Sequence, residues 1–237
     1  MKVSVVIPTY NERENIKLLI PKIFIALKRS KVNGNIIIVD DNSPDGTSEV
    51  VKKLQKRYRK IILIKRPKKL GIGSAYIEGF KVALNKNSEI IIEMDGDLSH
   101  NPIYIPKFIK SIKDCDVVIG SRYKKGGKIV GWNWYRKLVS IGGNQIGRYI
   151  AKIDIEDITS GFRSYKKEVL KNVINEIKSS GYAFQLEILA RCIKKGFKVR
   201  TIPIIFYDRK KGKSKLSKKD ILSFLLIALK IRLGMIK

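Results

Sequence analysis

Along the first half of the chain, short unbroken apolar runs alternate with stretches that are apolar at every third or fourth position. Residues 3–7, 35–40, 61–65, 90–94 and 116–120 are of the first kind and read as interior strands. Residues 14–29 carry Ile16, Leu19, Ile20, Ile23 and Leu27 at helical spacing, and helices are likewise expected over 72–86 and 102–113. Thr47 stands where it would cap a further helix with Val50, Val51 and Leu54 on its inner face. This alternation predicts an α/β fold, a mostly parallel sheet with helices on both faces. Past Gly120 the pattern loosens. Residues 121–134 hold three glycines and both tryptophans and read as one long loop, the kind that is usually functional in a compact domain. Then come a helix over 135–151, a strand near 162–166, helices near 167–178 and 183–195, and strands within 198–206. A basic loop at 208–219 leads into an apolar helix over about 217–236. The expected division is a main body over 1–207, with 208–237 as a loop and helix of the same unit.

The chain has 237 residues, 44% of them hydrophobic, enough to bury a substantial core. Charge changes the picture more. Fifty Lys and Arg against 21 Asp and Glu give +29, an excess that suits nucleic acid, phosphorylated substrates or an anionic membrane. Signatures of the common nucleic-acid folds are missing, so no nucleic-acid partner is expected. Cys115 and Cys192 are isolated, without metal-ligand spacing, and read as reduced core residues. His100 is the single histidine and directly follows an acidic turn, which argues against Ser-His-Asp or Cys-His chemistry. Met1-Lys2 opens straight into the first strand rather than a signal peptide, and no segment reaches the ~20 apolar residues of a membrane span. A soluble or membrane-peripheral protein is expected.

Candidate chemistry gathers at the carboxyl ends of the strands, where open α/β sheets bind ligands. Pro8-Thr9-Tyr10-Asn11-Glu12, Asp40-Asp41-Asn42-Ser43, Asp95-Gly96-Asp97 and Gly120-Ser121-Arg122-Tyr123 all follow apolar runs. Alternation along an extended chain would point Asp95 and Asp97 the same way. Two like charges so placed need a cation or a proton between them, and oxygen ligands suit Mg²⁺ or Mn²⁺. Carboxylates at the other strand ends can accept from ring N–H groups and ribose hydroxyls. Leu70-Gly71-Ile72-Gly73-Ser74-Ala75 lacks the third glycine of a dinucleotide fingerprint, and no P-loop is present.

In their order and spacing, residues 5–12, 39–47, 94–100 and 120–123 resemble a GT-A family 2 glycosyltransferase. Gly131-Trp132, Arg136 to Ser140, Thr159 to Arg163, Gly181 to Gln185 and Asp208 to Leu216 narrow the resemblance to the dolichyl-phosphate mannosyltransferases. It covers residues 3–225 and implies a Rossmann-like GT-A fold. Carried over by motif, it implies that Pro8, Tyr10, Glu12, Val39 and Asp41 hold the guanosine of GDP-mannose. Asp95 and Gly96 would line the ribose and diphosphate region, and Asp97 would ligate the divalent metal. Some relatives add a glutamine ligand two residues on; here Ser99 takes that place, a weaker ligand acting directly or through water. Arg209 and Lys215 match residues that neutralise the donor diphosphate. Arg122, Arg136 and Ser140 match the acceptor-phosphate site, and Arg122 also belongs with the donor-binding residues and, with Asp95 and Asp97, in the implied catalytic group. Arg136 and Ser140, spaced i, i+4, would share a helix face able to grip one phosphate.

The reaction so implied is attack by a polyprenyl phosphate such as dolichyl phosphate on the sugar, displacing GDP with inversion. Asp157 and Glu187 are further carboxylates of interest, Glu187 as structural or acceptor-orienting. Seven Lys or Arg against Asp208 within 208–219, followed by Ile221 to Leu229, read as an interfacial element on anionic lipid at the cytoplasmic membrane face. A small membrane-anchoring subunit stays open as a further partner. Rival readings are a polyprenyl-phosphate enzyme using another sugar nucleotide such as UDP-glucose, a basic nucleic-acid-binding protein, and an inactive membrane scaffold.

Overall fold

A computed structural model describes residues 1–209 and 218–236. Seven strands form the main sheet in the order β3-β2-β1-β4-β7-β5-β8. They are β1 (Lys2–Thr9), β2 (Asn33–Asp40), β3 (Ile61–Lys65), β4 (Ile90–Glu93), β5 (Val117–Ser121), β7 (Arg163–Lys166) and β8 (Val199–Pro203). All pair in parallel except β7, which runs antiparallel to both β4 and β5. The mostly parallel sheet expected from the strand–helix alternation is therefore present, with one reversed strand inserted at its centre.

The unbroken apolar runs have a plain cause: the central strands are buried on both faces. Val3, Val5 and Ile7 of β1 face one core with Ile16, Leu19, Ile20 and Ile23 of α1 (Arg13–Arg29). Val6, Ile37 and Val39 face a second core built with α3 (Ile72–Asn85), α6 (Lys167–Val173) and α7 (Phe184–Lys194). Gly79 of α3 allows close packing there, because a Cβ would lie 2.2 Å from Val6 Cγ1.

Several local expectations are corrected. Thr47 is the first residue of α2 (Thr47–Arg57), not its cap; Gly46 holds the cap position at φ +83°. Asp45 supplies the side-chain oxygen instead, accepting from Thr47 N at 3.0 Å. The helix expected over 102–113 is α4 (Ile105–Ser111) flanked by single 3₁₀ turns, and α6 ends at Val173 before another such turn. The long loop at 121–134 contains β6 (Lys128–Val130), paired in parallel with β9 (Ile205–Tyr207). That pairing brings the chain after β9 alongside α5 (Trp134–Ala151). The terminal helix α8 (Lys218–Arg232) packs on α5, its Ala228 fully buried in the second core. Gly147 makes the close approach, since a Cβ there would meet the Phe224 ring at 2.6 Å.

Candidate active site

A cleft of about 260 Å³ opens at the carboxyl ends of β1, β2 and β4. Pro8, Thr9, Tyr10 and Glu12 come from the end of β1, Asp41 from β2, and Asp95, Gly96 and Asp97 from β4. Lys69 and Gly71 wall it from before α3 and Ile72 from the start of that helix, Gly181 and Tyr182 from before α7, and Arg209 and Asp220 from the C-terminal region. Three non-glycine residues here have left-handed backbones: Asn11 (φ 60°), Asn42 (φ 54°) and Leu98 (φ 67°). Each directly follows a cleft residue, Tyr10, Asp41 or Asp97. For a leucine this conformation costs about 1–2 kcal/mol, strain of the sort that accumulates at functional sites. The strand-alternation argument for the acidic pair is thereby corrected: β4 ends at Glu93, so Asp95 and Asp97 lie beyond the strand, just before the left-handed Leu98.

The pair is electrostatically loaded. Burial, and then the neighbouring charge of Asp97, push the Asp95 carboxyl up to about 7. Tyr76 Oη donates to Asp95 Oδ1 at 3.0 Å, and Asp97 Oδ1 accepts from Ser99 N at 3.0 Å. Arg209 Nη2 lies 3.6 Å from Asp97 Oδ2. Beneath the pair, burial pushes the Glu93 carboxyl up to about 8, so at neutral pH it is largely protonated, 3.7 Å from Arg163 Nε. His100 is neutral as well, pushed down to about 4 by burial. Its Nδ1 accepts from Asp95 N at 3.2 Å while its ring stacks on Phe162. It shapes the turn rather than shuttling protons.

Among the described residues no three His, Cys, Asp or Glu converge on a metal position. Two adjacent carboxylates whose charges repel do fit a hard divalent ion that keeps waters and substrate phosphate oxygens as its other ligands. Ser99 Oγ is buried with no hydrogen-bond partner. An orphaned buried hydroxyl two residues from Asp97 is consistent with that donor set.

Asp41 reaches the cleft already held. Arg66, itself buried, pairs with Asp41 Oδ1 and donates to Ser74 Oγ at 2.7 Å and Gly71 O at 3.0 Å. Lys69 stands over the Tyr10 ring, its Nζ 4.8 Å from the centroid. Neither basic residue was singled out from sequence. Arg66 was findable as the first residue past the third strand; nothing marked Lys69, or Asp220 of α8. Val39 is placed differently from the other donor candidates. Its side chain is wholly buried against α3 and takes no part in lining the cleft. Lys215 lies outside the described residues.

The acceptor candidates form a second cluster. Arg122 is gripped by Asp157: Nε donates to Oδ2 at 2.8 Å, Nη2 to Oδ1 at 2.7 Å and the backbone N to Oδ2 at 3.0 Å. Thr159 Oγ1 takes a further hydrogen bond from Arg122 Nη2 at 2.6 Å. Burial raises the Asp157 carboxyl, but the Arg122 charge and hydrogen bonds more than offset this and leave it below its ordinary value. Arg136 and Ser140, one turn apart on α5, each have a protein partner of their own. Arg136 Nη1 donates to Asp208 Oδ1 at 2.9 Å with its guanidinium 4.1 Å from the Trp132 ring, and Ser140 Oγ meets Tyr123 Oη at 2.7 Å. Asp208 and Arg209 are consecutive, so one dipeptide joins this cluster to the acidic pair. Glu187 is structural, accepting from Lys178 N, Ser179 N and Arg191.

Comparisons with known proteins bear on the family. The glycosyl transferase family 2 model matches residues 4–174. The dolichol-phosphate mannosyltransferase of Pyrococcus furiosus is 45% identical over 228 residues, 95% of this chain and 62% of its own length. The chain thus spans somewhat under two thirds of that relative. The polyprenol monophosphomannose synthase of Mycolicibacterium smegmatis is 37% identical over 92% of this chain and 82% of its own. The undecaprenyl-phosphate mannosyltransferase of Micrococcus luteus is 35% identical over 92% and 88%. Among solved structures, glucosyl-3-phosphoglycerate synthase from Mycobacterium tuberculosis with Mn²⁺ and UDP-glucose superposes with a TM-score of 0.71 at 18% identity, over 98% of this chain and 79% of that one. At that identity the likeness speaks for the GT-A-like fold alone. Fold, strand-end carboxylates and a match along most of the sequence meet in one assignment: the chain belongs to glycosyl transferase family 2.

Proposed function

We propose that the protein transfers mannose from GDP-mannose to dolichyl phosphate, or a polyprenyl phosphate like it, with inversion, at the cytoplasmic face of a membrane. The observation that carries this reading is the junction of two charged clusters through Asp208 and Arg209. One cluster holds the acidic pair at the cleft floor; the other holds Arg122 and Arg136. A sugar nucleotide and a lipid phosphate are both anions, and each would meet its own cation there. The three relatives carry polyprenyl-phosphate mannose transfer in their names, which supports the same substrate classes for this chain.

In the proposed reaction an acceptor phosphate oxygen forms a bond to the anomeric carbon as the bond to the diphosphate breaks and GDP leaves with the electron pair. A phosphate monoester, with a second pKa of about 6, is already largely dianionic at neutral pH and needs no general base. That suits a site whose one histidine is buried and neutral. Asp97, with Asp95 beside it and Ser99 behind, would hold Mg²⁺ or Mn²⁺, which when bound supplies charge neutralisation at the leaving diphosphate. Arg209 adds a fixed positive charge at the same end, and Lys215 is assigned there from the motif. Glu12, Asp41 and Tyr10 would hold the base and ribose, with Val39 offering only backbone. Arg122, Arg136 and Ser140 would orient the acceptor phosphate.

The lipid would arrive along α5 and α8. Trp134, Tyr135, Leu138 and Tyr149 of α5 and Leu222, Leu226 and Leu229 of α8 are all exposed on two helices that pack together. No helix among the described residues is long and apolar enough to cross a membrane. Exposed apolar side chains beside so basic a sequence suit the surface of an anionic bilayer.

A second reading keeps the polyprenyl-phosphate acceptor and takes another sugar nucleotide, such as UDP-glucose, as donor. Release of GDP or UDP, measured with dolichyl phosphate and each sugar nucleotide in turn, decides between them. Turnover with GDP-mannose is expected; turnover with UDP-glucose alone would replace the proposed donor.

A further inference from the structure

Among the described residues Arg163, at the start of β7, is the largest side chain wholly sealed from solvent. A guanidinium is tolerated that deep only where its hydrogens are used. Nε donates to Ser160 O at 2.7 Å, Nη1 to Gln185 O at 2.8 Å and Nη2 to Ile158 O at 2.8 Å. Two of these carbonyls lie in the short segment before β7; the third lies in the first turn of α7. None is needed to keep β7 in the sheet, whose pairing with β4 and β5 is made by backbone.

What the segment carries explains the arrangement. Asp157 and Thr159 together take four hydrogen bonds from Arg122. Gly161, in the same segment, lies near Asp95: a Cβ added there would reach ordinary van der Waals contact with Asp95 Oδ1 at 3.5 Å and come within 3.3 Å of Gln185 Nε2. The segment therefore holds Arg122 directly and passes near Asp95, and one buried guanidinium ties down two of its carbonyls, those of Ile158 and Ser160.

We propose that Arg163 is a positioning residue for transfer, clamping the Ile158 and Ser160 carbonyls so that Asp157 and Thr159 aim Arg122. Only the kinetic arm of the test rests on the function proposed above. Arg163→Lys keeps the charge and loses the three-way fork, while Thr159→Val removes one hydrogen bond to Arg122 further along the same path. With ¹⁵N-labelled arginine, solvent exchange of the Arg122 Nε–H should quicken on the order of tenfold in folded Arg163→Lys. Its kcat for mannose transfer should fall on the order of tenfold to a hundredfold, with the KM for GDP-mannose nearly unchanged. The double variant should be little worse than Arg163→Lys alone, because both changes act through Arg122. In the wild type, sub-denaturing urea should release the Arg122 and Arg163 Nε–H groups together, a measurement that needs no variant to fold. Unchanged Arg122 exchange in Arg163→Lys, multiplicative losses in the double variant, or independent release in urea would each overturn the proposal. Absence of mannose transfer by the wild type would instead strike the proposed function, and the exchange measurements would still decide the role of Arg163.

Discussion

Asp157→Asn is the sharpest single perturbation of the second cluster. Asp157 is fully buried and Arg122 nearly so, and the pair is joined by a two-pronged fork plus a backbone hydrogen bond. Asparagine matches the carboxylate in size, but one of its two prongs becomes a donor facing the Arg122 guanidinium. Removing one partner of a buried pair costs about 3–5 kcal/mol. The retained amide oxygen favours the lower end, about 3 kcal/mol, or a fall in Tm of roughly 6–12 °C for a chain of this size. The pH dependence has a definite sign. Because the folded Asp157 carboxyl titrates below its unfolded value of about 3.9, its contribution is complete above that value and is lost as pH falls through the folded pKa. Urea denaturation followed by circular dichroism at pH 7, 5, 4 and 3.5 should show wild type ahead by about 3 kcal/mol at pH 7 and 5, with the gap narrowing below pH 4. A gap under about 1 kcal/mol at pH 7, or one indifferent to acid, would refute the claim that this ion pair anchors Arg122.

Asp97→Asn should lower transfer by about a hundredfold or more while leaving the thermal midpoint within a few degrees, read from steady-state rates and a melting curve. Chelation of divalent ions should abolish transfer and added Mg²⁺ or Mn²⁺ should restore it; full activity in chelator would contradict a metal role for the acidic pair. Leu226→Asp on the exposed face of α8 should weaken sedimentation with anionic vesicles by about tenfold to a hundredfold, since losing one leucine buried in the bilayer surface is worth about 1.5–3 kcal/mol. Gly73→Ala should destabilise the fold by about 1–3 kcal/mol in the same urea assay, because the new Cβ would fall 2.7 Å from Phe184 Cβ and 2.8 Å from Ser179 O.

What could be read from sequence follows from which interactions are local. Val5-Val6-Ile7 and Ile90-Ile91-Ile92 announce interior strands because both neighbouring residues on each are buried, and the strand-end carboxylates follow directly from those strands. β7 hid its character. Arg163-Ser164-Tyr165-Lys166 looks half-exposed, yet its first three residues are fully buried, because the strand is inserted between β4 and β5 and its arginine is spent on carbonyls. The partners that set the site's electrostatics were equally hidden by distance along the chain: Asp41 with Arg66, Arg122 with Asp157, Arg136 with Asp208. Composition reports that such charges exist, and only the fold decides which of them meet. Arg136 and Ser140 illustrate the limit. Their spacing correctly put them a turn apart on α5, but each side chain found a partner from elsewhere in the chain.

The central claim is that this cleft moves mannose from GDP-mannose onto a polyprenyl phosphate. Its most direct test supplies GDP-mannose labelled in the sugar, dolichyl phosphate in anionic vesicles and Mg²⁺ or Mn²⁺, then extracts the lipid and assigns the anomeric configuration of the product by NMR. The account predicts label in the lipid fraction as the inverted mannosyl phosphate, with none from Asp97→Asn. Wild-type protein that leaves the lipid unlabelled under these conditions, or that yields a product of retained configuration, would contradict it.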